Sequence, residues 1–391
     1  MPKALSGAGV FYVLRGAELK ILQSCGSRSW GGLEMQALLI TRELQKRGHE
    51  VSLLCIPRTT LLKEAYAAGV PSVGLLGKDN HAFSTIKDLT KLLKGYSYDV
   101  VHTHLSHDLW WLVPSMKLSS SHAKLFLTKH VASGVKKTDP LHRFLYGRLQ
   151  GTFAISNYIK GSIFNTCPVP ENEVHIVPPG ISLDDFNPNL YDKNAVRKDL
   201  GISEDVILVG MAGRMSPGKG HEEFLRAAKK LVADHEINFR FLIVGGASYG
   251  ESEFELNIKN LVHELELDSV VQLTGFRKDI PRIMSALDIL AFPSHEESFG
   301  LTLTEAMAMK LPVVATGNAG VLDIVLDNET GILVPQKDYQ ALANGILRLS
   351  RDKSIRKKFG EAGRKRVENM FSIQAVVEKL EEFYQNEHFK D

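Results

Sequence analysis

The sequence predicts an α/β protein made of two consecutive doubly wound parallel sheets, one Rossmann-like domain following another. Three observations carry that expectation. Short apolar runs of strand length alternate with stretches of helical period along almost the whole chain. The runs are apolar at successive positions, as in strands buried on both faces of a helix-covered sheet. The alternation lapses once, between Pro178 and Gly201, and then restarts, and 391 residues are too many for one ordinary core.

Residues 1–18 have no clear period and read as an extension. The first domain, residues 19–185, begins with the strand "LKILQS" and the helix "LEMQALLITRELQKRG", which Gly48 closes. "EVSLLCI" and "TLLKEAYAAG" repeat the unit, and further strands follow at "DVVHTH", "KLFLTKH", "TFAIS" and "VHIVPP". Residues 186–200, inside a stretch rich in Pro, Asn and Asp, read as a linker. The second domain, residues 201–371, has strands at "VILVGMAG", "FRFLIVGG", "VVQLTG", "ILAFPS", "PVVAT" and "GILVP", with helices between them. A last helix occupies residues 372–391. Sheets of this kind bind ligands beyond the carboxyl ends of their strands, so the cleft between the domains is the expected site.

The composition, 44% apolar and 24% charged, is that of a globular protein. No apolar run approaches the roughly 18 residues of a membrane span, and "GVFYVL" is too short for a signal-peptide core. Cys25, Cys55 and Cys167 are odd in number and far apart, as in a chain with reduced thiols, so a cytoplasmic location is expected. The net charge of +2 is unevenly spread, with a basic excess over residues 1–180 and an acidic one beyond. Such asymmetry fits contact with a lipid surface, a phosphate-bearing acceptor or nucleic acid, and equally fits a plain solvated surface.

The candidate chemistry lies in three glycine-containing turns. In "SHEESFGLTLTEAMAMKLPVVAT", Glu297 and Glu305 stand eight positions apart around Gly300. On one continuous helix that spacing would leave them roughly 80° out of phase. A strand, a loop and a helix N-terminus resolve the difficulty: the loop amides and helix dipole suit a diphosphate, with one acid for the ring on each side. A capping acid with a surface salt bridge fits the same spacing. In "VGMAGRMSPGKGHEEFL", Arg214 and Lys219 put two cations at another strand end, although the P-loop register is absent. Gly31 and Gly32 in "SRSWGGLEMQ" supply a third close-approach turn, or an ordinary tight one. The cluster His102, His104, His107 and Asp108 has the wrong register for a metallo-hydrolase, and no metal site is expected. His130 ends a strand and so points to the cleft, as substrate contact or as structural histidine.

Taken in order, "SWGGLE", "KRGHEV", "FAIS", "VPPGISLDDFNP", "GRMSPGKG" and "EESFGLTLTEAMAMKLPVVAT" resemble the GT-B-fold retaining glycosyltransferases of family 4, over Leu19 to Phe383. The resemblance implies two Rossmann-like domains facing across a cleft, with the C-terminal helix crossing back to the first. It also implies sugar transfer from a nucleotide-diphosphate donor, held mainly by the second domain, to an acceptor on the first. By position, Glu305 would bind the ribose and Glu297 the donor sugar. Arg214 and Lys219 would hold the diphosphate, with the amides of Gly300, Leu301 and Thr302, beside Phe299, and the Gly31–Gly32 turn. His130 would contact the sugar, and the backbone around Gly245, Gly246, Phe276 and Arg277 the nucleobase. Pro179 and Lys310 depart from the common family pattern, where Asn and Gly are frequent.

The implied reaction needs no cofactor and no metal, because Arg214 and Lys219 neutralise the leaving diphosphate. A UDP-sugar is the expected donor, with a GDP-sugar second. The expected acceptor is a cell-envelope glycan or glycolipid such as lipopolysaccharide or exopolysaccharide. A basic face formed by Lys87, Lys91 and Lys94, with Lys136, Lys137, Arg143 and Arg148 around Phe144 and Tyr146, suits an anionic membrane surface and a peripheral location at the inner face of the cell membrane. A small soluble acceptor, a nucleotide-sugar epimerase and a non-catalytic binding protein are the alternatives. A nucleic-acid partner is not expected, since aromatic stacking motifs are missing.

Overall fold

The structure, a computed structural model, describes residues 18–74, 82–234, 237–247 and 250–386. The expected extension over residues 1–18 lies almost wholly outside the described residues, as does the end of the last helix. The first domain begins β1 (Lys20–Cys25), α1 (Gly32–Lys46), β2 (Glu50–Cys55), α2 (Thr60–Ala67), β3 (Ser72–Gly74) and α3 (Ala82–Gly95). It continues β4 (Val100–Thr103), α4 (Leu109–Ser119), β5 (Lys124–Lys129), α5 (Pro140–Tyr146), β6 (Gly151–Ala154), α6 (Asn157–Thr166) and β7 (Val174–Ile176). After α7 (Lys193–Asp199), the second domain runs β8 (Ile207–Ala212), α8 (His221–Asp234), β9 (Phe239–Val244), α9 (Ser252–Glu264), β10 (Val271–Leu273) and α10 (Ile280–Ala286). Then come β11 (Ile289–Phe292), α11 (Leu301–Ala308), β12 (Val313–Thr316), α12 (Val321–Ile324), β13 (Gly331–Val334) and α13 (Tyr339–Arg351). The chain closes on α14 (Lys353–Met370) and α15 (Ile373–Gln385).

Both sheets are parallel and doubly wound, in the orders β3-β2-β1-β4-β5-β6-β7 and β10-β9-β8-β11-β12-β13. The strand order reverses between β1 and β4, and again between β8 and β11. A crevice opens at such a reversal, because the flanking helices leave on opposite faces. The buried strands are apolar on both faces: Leu125 and Leu127 point into one core and Phe126 into another. Three local differences from the sequence reading have clear causes. The edge strand β3 has only three residues and no periodic signature. β7 stops at Ile176, short of Pro178 and Pro179, which cannot donate to a ladder. The stretch 186–200 contains α7, which is anchored to the second domain where Arg197 and Lys193 both bind Asp288.

The last helix returns to the first domain. The chain crosses at Ile181, whose amide donates to Phe371 O at 2.8 Å while its carbonyl accepts from Ile373 N at 2.9 Å. From there α15 inserts Val376, Val377, Leu380 and Tyr384 against Phe126 and Phe153. A helix that covers one domain while its chain neighbour α14 covers the other fixes the two sheets across their cleft.

Candidate functional site

The loops after β8 and β11 are tied into one surface. His295 N donates to Gly218 O at 2.8 Å, and Ser294 Oγ reaches the same carbonyl at 3.3 Å. The approach is close enough that a Cβ on Gly220, at φ +80°, would meet Pro293 O at 2.1 Å. Within this surface Lys219 Nζ bonds Glu297 Oε1, and Ser294 Oγ donates to the same oxygen at 3.0 Å. The Glu297 carbonyl accepts from Gly320 N at 2.9 Å, so both ends of the residue are held. Arg214 is exposed on the β8 loop and has no side-chain partner among the described residues.

Gly300 sits at the N-cap of α11 with φ +111°, a left-handed conformation that a side chain would strain, and it supplies no side-chain cap. The first amides of α11, at Leu301 and Thr302, are thus left without a capping partner among the described residues. Phe299 is buried beneath them against Phe371. Glu305 follows one turn on. It is half-buried, has no hydrogen-bond partner among the described residues, and burial lifts its carboxyl to about 7.

The glycine turn of the first domain faces this helix directly, since a Cβ on Gly32 would lie 2.8 Å from Leu301 Cδ1. The Gly31 amide is already used, donating to Glu34 Oε2 at 2.8 Å, the one half of a capping box that a glycine N-cap can make. At the end of β9, Gly245 pairs with Gly275, and its φ of +140° accompanies an approach to Gly213 O that leaves no room for a side chain. Gly246 O accepts from Met215 N. Beside them the Phe276 ring is 76% exposed, an open stacking surface, whereas Arg277 is held in a bidentate pair with Asp279.

His130 lies across the cleft at the end of β5, within a chain of rings that sequence spacing did not disclose. Gln23 Oε1 can only accept, so His104 Nε2, 2.9 Å away, carries a proton. His104 Nδ1 is then an acceptor and takes the Nε2 proton of His130 at 3.2 Å. This leaves His130 Nδ1 as an unprotonated acceptor. Gln23 Nε2 donates to Tyr384 Oη at 3.4 Å, and Tyr384 Oη bonds His102 Nδ1 at 2.5 Å, so α15 braces the chain. Burial drives His130 down to about 4 and His102 to about 3, which keeps both rings neutral. The fourth member of the sequence cluster, Asp108, accepts from Ser24 Oγ, Gly26 N and Thr103 Oγ1, and so fixes the turn after β1. No three His, Cys, Asp or Glu side chains converge as metal ligands among the described residues.

Sequence reasoning also missed how the domains meet. At the start of α6, Ser156 Oγ donates to Ser298 O at 2.6 Å. Asn157 gives both its backbone and its side-chain N–H to Asp323, at 2.6 Å each, and Tyr158 Oη bonds Glu296. Three consecutive residues of the first domain thus grip the second, two of them on the residues either side of Glu297. The signal was present in "FAISNY", where a serine precedes a helix, but nothing in it names the partner.

The basic face is smaller than expected. Lys87, Lys91 and Lys94 are exposed along α3 with Phe83 at its start. Lys117 lies over the Phe144 ring. Tyr146, however, is buried, and Arg148 folds in to donate to Ala123 O at 2.8 Å, closing the end of α4. No helix among the described residues is long and apolar enough to cross a membrane.

Known proteins match this geometry along most of the chain. Residues 30–185 match the family model for Glycosyltransferase Family 4, and residues 192–366 that for Glycosyl transferases group 1. The capsular polysaccharide biosynthesis glycosyltransferase CapM of Staphylococcus aureus is 30% identical over 59% of this chain, a match that spans 60% of CapM. Among solved structures, a glycosyltransferase of Rickettsia africae superposes with a TM-score of 0.84 at 26% identity, covering 95% of this chain and 98% of that one. HepE of Anabaena in complex with UDP-glucose superposes at 0.77 with 19% identity over 93% and 99%, which speaks to the fold. Two matched domain families in sequence, on two parallel sheets arranged as in these neighbours, make the chain a glycosyltransferase family 4-like protein with the GT-B fold.

Proposed function

We propose that this protein transfers a hexose from a UDP-sugar, with a GDP-sugar as second candidate, to a hydroxyl of a cell-envelope glycan or glycolipid, retaining the anomeric configuration and using no metal. One observation carries the reading: the Lys219–Glu297 pair, exposed Arg214, the uncapped start of α11 and Glu305, which has no hydrogen-bond partner among the described residues, share one cleft wall opposite His130. A diphosphate seated on the α11 amides comes within the field of both cations. Glu305 then accepts from the ribose hydroxyls and Phe276 offers its ring to the base. As the glycosidic bond breaks, negative charge grows on the leaving diphosphate, where Lys219 and Arg214 stabilise it, and the sugar becomes oxocarbenium-like. His130 Nδ1 accepts from a sugar hydroxyl, and the acceptor hydroxyl attacks the face the leaving group vacates, its proton passing to a phosphate oxygen. The UDP-glucose complex of HepE and the capsule role of CapM support the donor and the acceptor class respectively.

A thermal-shift panel of UDP-, GDP-, ADP- and dTDP-sugars tests the donor. UDP-sugars are expected to raise the unfolding midpoint most, and release of UDP is expected to depend on added acceptor. Stabilisation by none of the panel, or release of an unsaturated sugar without acceptor, overturns the reading. The acceptor class also implies a membrane-facing surface, for which α3 with Lys87, Lys91, Lys94 and Phe83 is the candidate. Co-sedimentation with anionic liposomes at low salt is expected for the wild type and lost when the three lysines become glutamate. Failure of the wild type to pellet removes the membrane from the proposal.

A further inference from the structure

Next to the reaction cleft lies a groove of about 610 Å³ that the donor scheme leaves unused. Its floor is the outer face of α6, its outer wall is the loop that leaves His130, and its inner wall is Glu296 of the other domain. The volume falls within the roughly 300–1,000 Å³ of sites that hold small ligands. Its lining comes close in sequence to His130 at one end and reaches the neighbour of Glu297 at the other, so a molecule lying in it extends away from the reacting centre on the acceptor side.

The lining chemistry is that of hydroxyl recognition. Ser133 Oγ is already committed to Val135 and the Asn157 amide gives one N–H to Asp323, which leaves the Asn165 amide, the Ser162 hydroxyl proton, Asn157 Oδ1 and the second oxygen of Glu296 for a ligand. The Asn165 amide is exposed and has no partner among the described residues. No lysine or arginine is among the described residues that line the groove. A phosphate there would meet a carboxylate and no countercharge among the described lining residues, whereas sugar hydroxyls both donate to Glu296 and accept from the Asn165 amide.

Two glycines strengthen the case. Only Gly95, Gly134 and Gly161, among the described glycines, combine an ordinary φ with no atom within 4 Å of the point a Cβ would occupy. Gly95 merely ends α3, but the other two line this groove. Gly161 is inside α6, where glycine is less stable than alanine, and neither packing nor backbone conformation requires it. A methyl group at Gly161 would occupy only the groove.

We infer that this groove seats an uncharged sugar residue of the acceptor, with the open faces of Gly134 and Gly161 admitting its ring. The inference rests on the glycosyl-transfer reading, whose donor half is measured separately in the same samples as UDP binding. The test is saturation-transfer difference NMR with a panel of neutral methyl hexosides and a matching panel of hexose phosphates, on wild type, Gly161→Ala and Gly161→Leu. At least one neutral hexoside is expected to bind the wild type and to bind Gly161→Ala about tenfold more weakly. Gly161→Leu is expected to abolish that binding. The thermal midpoint of Gly161→Ala should equal or exceed that of wild type, and UDP binding should not change. Undiminished hexoside binding in both variants, binding by hexose phosphates alone, or binding by neither panel overturns the inference. Absent UDP binding with hexoside binding intact would count against the donor site and leave the groove standing.

Discussion

Lys219→Ala is expected to lower turnover of a UDP-sugar by about 10²-fold or more, with the fold intact. The magnitude follows from where Lys219 sits. It is 31% exposed and bonded to a Glu297 that is 16% exposed, so the pair is partly screened by water and contributes no more than about 1 kcal/mol to folding. Its proposed service comes in the transition state, when charge appears on the diphosphate and the ammonium answers it from a fixed position. A group that acts only then lowers kcat and kcat/KM together when it is removed. Glu297→Ala is expected to have a comparable effect by a different route, since it frees Lys219 and leaves the donor sugar unheld. The double variant should then lose less than the product of the two single losses, because the residues act as a unit. Lys219→Arg should not restore activity, as a planar guanidinium cannot occupy the site of a compact ammonium. Rapid-quench kinetics on wild type and these variants decide the matter, and turnover near that of wild type in Lys219→Ala removes the residue from the scheme.

The parts of this site that were legible in the sequence were those set by one local segment. Gly300 is an example: a glycine after a strand and before an apolar helix announces an open helix start, and the structure gives it φ +111°. The parallel sheets were legible for the same reason, since runs such as "ILAFPS" carry their burial on both faces. What could not be read were contacts between segments far apart in the chain. The brace from Tyr384 through Gln23 and His104 to His130 spans both ends of the sequence, and each member alone looks like an ordinary core residue. The grip of Ser156, Asn157 and Tyr158 on the second domain is equally non-local. Closeness in sequence likewise grouped Tyr146 and Arg148 with Phe144 but could not show that both turn inward. Local chemistry thus named the groups that the proposal assigns to a donor, and tertiary contacts determine how firmly each is held.

Glu305 gives the second large effect, and it is one of pH. Its carboxyl ordinarily titrates near 4.5 but stands at about 7 here, because burial disfavours the charge and no protein group among the described residues compensates it. The proposed ribose hydroxyls would compensate it, so donor binding and ionisation of Glu305 are linked: the bound state holds fewer protons. Affinity for a UDP-sugar is therefore expected to rise with pH from about 5 to about 7 and level off above, the donor's own diester phosphates being ionised throughout. For stability the sign is opposite. The unfolded state gives up the Glu305 proton near 4.5 and the folded state only near 7, so the residue lowers stability progressively across that interval and fully above it. Glu305→Gln removes the cost. The variant is expected to match wild type in unfolding free energy near pH 5 and to exceed it at pH 8, while its donor affinity is weaker and nearly independent of pH. Denaturant titrations and calorimetric binding at pH 5, 6, 7 and 8 provide both readouts. A flat affinity profile in the wild type, or equal stability of the two proteins at pH 8, would mean that Glu305 has a partner other than the ribose.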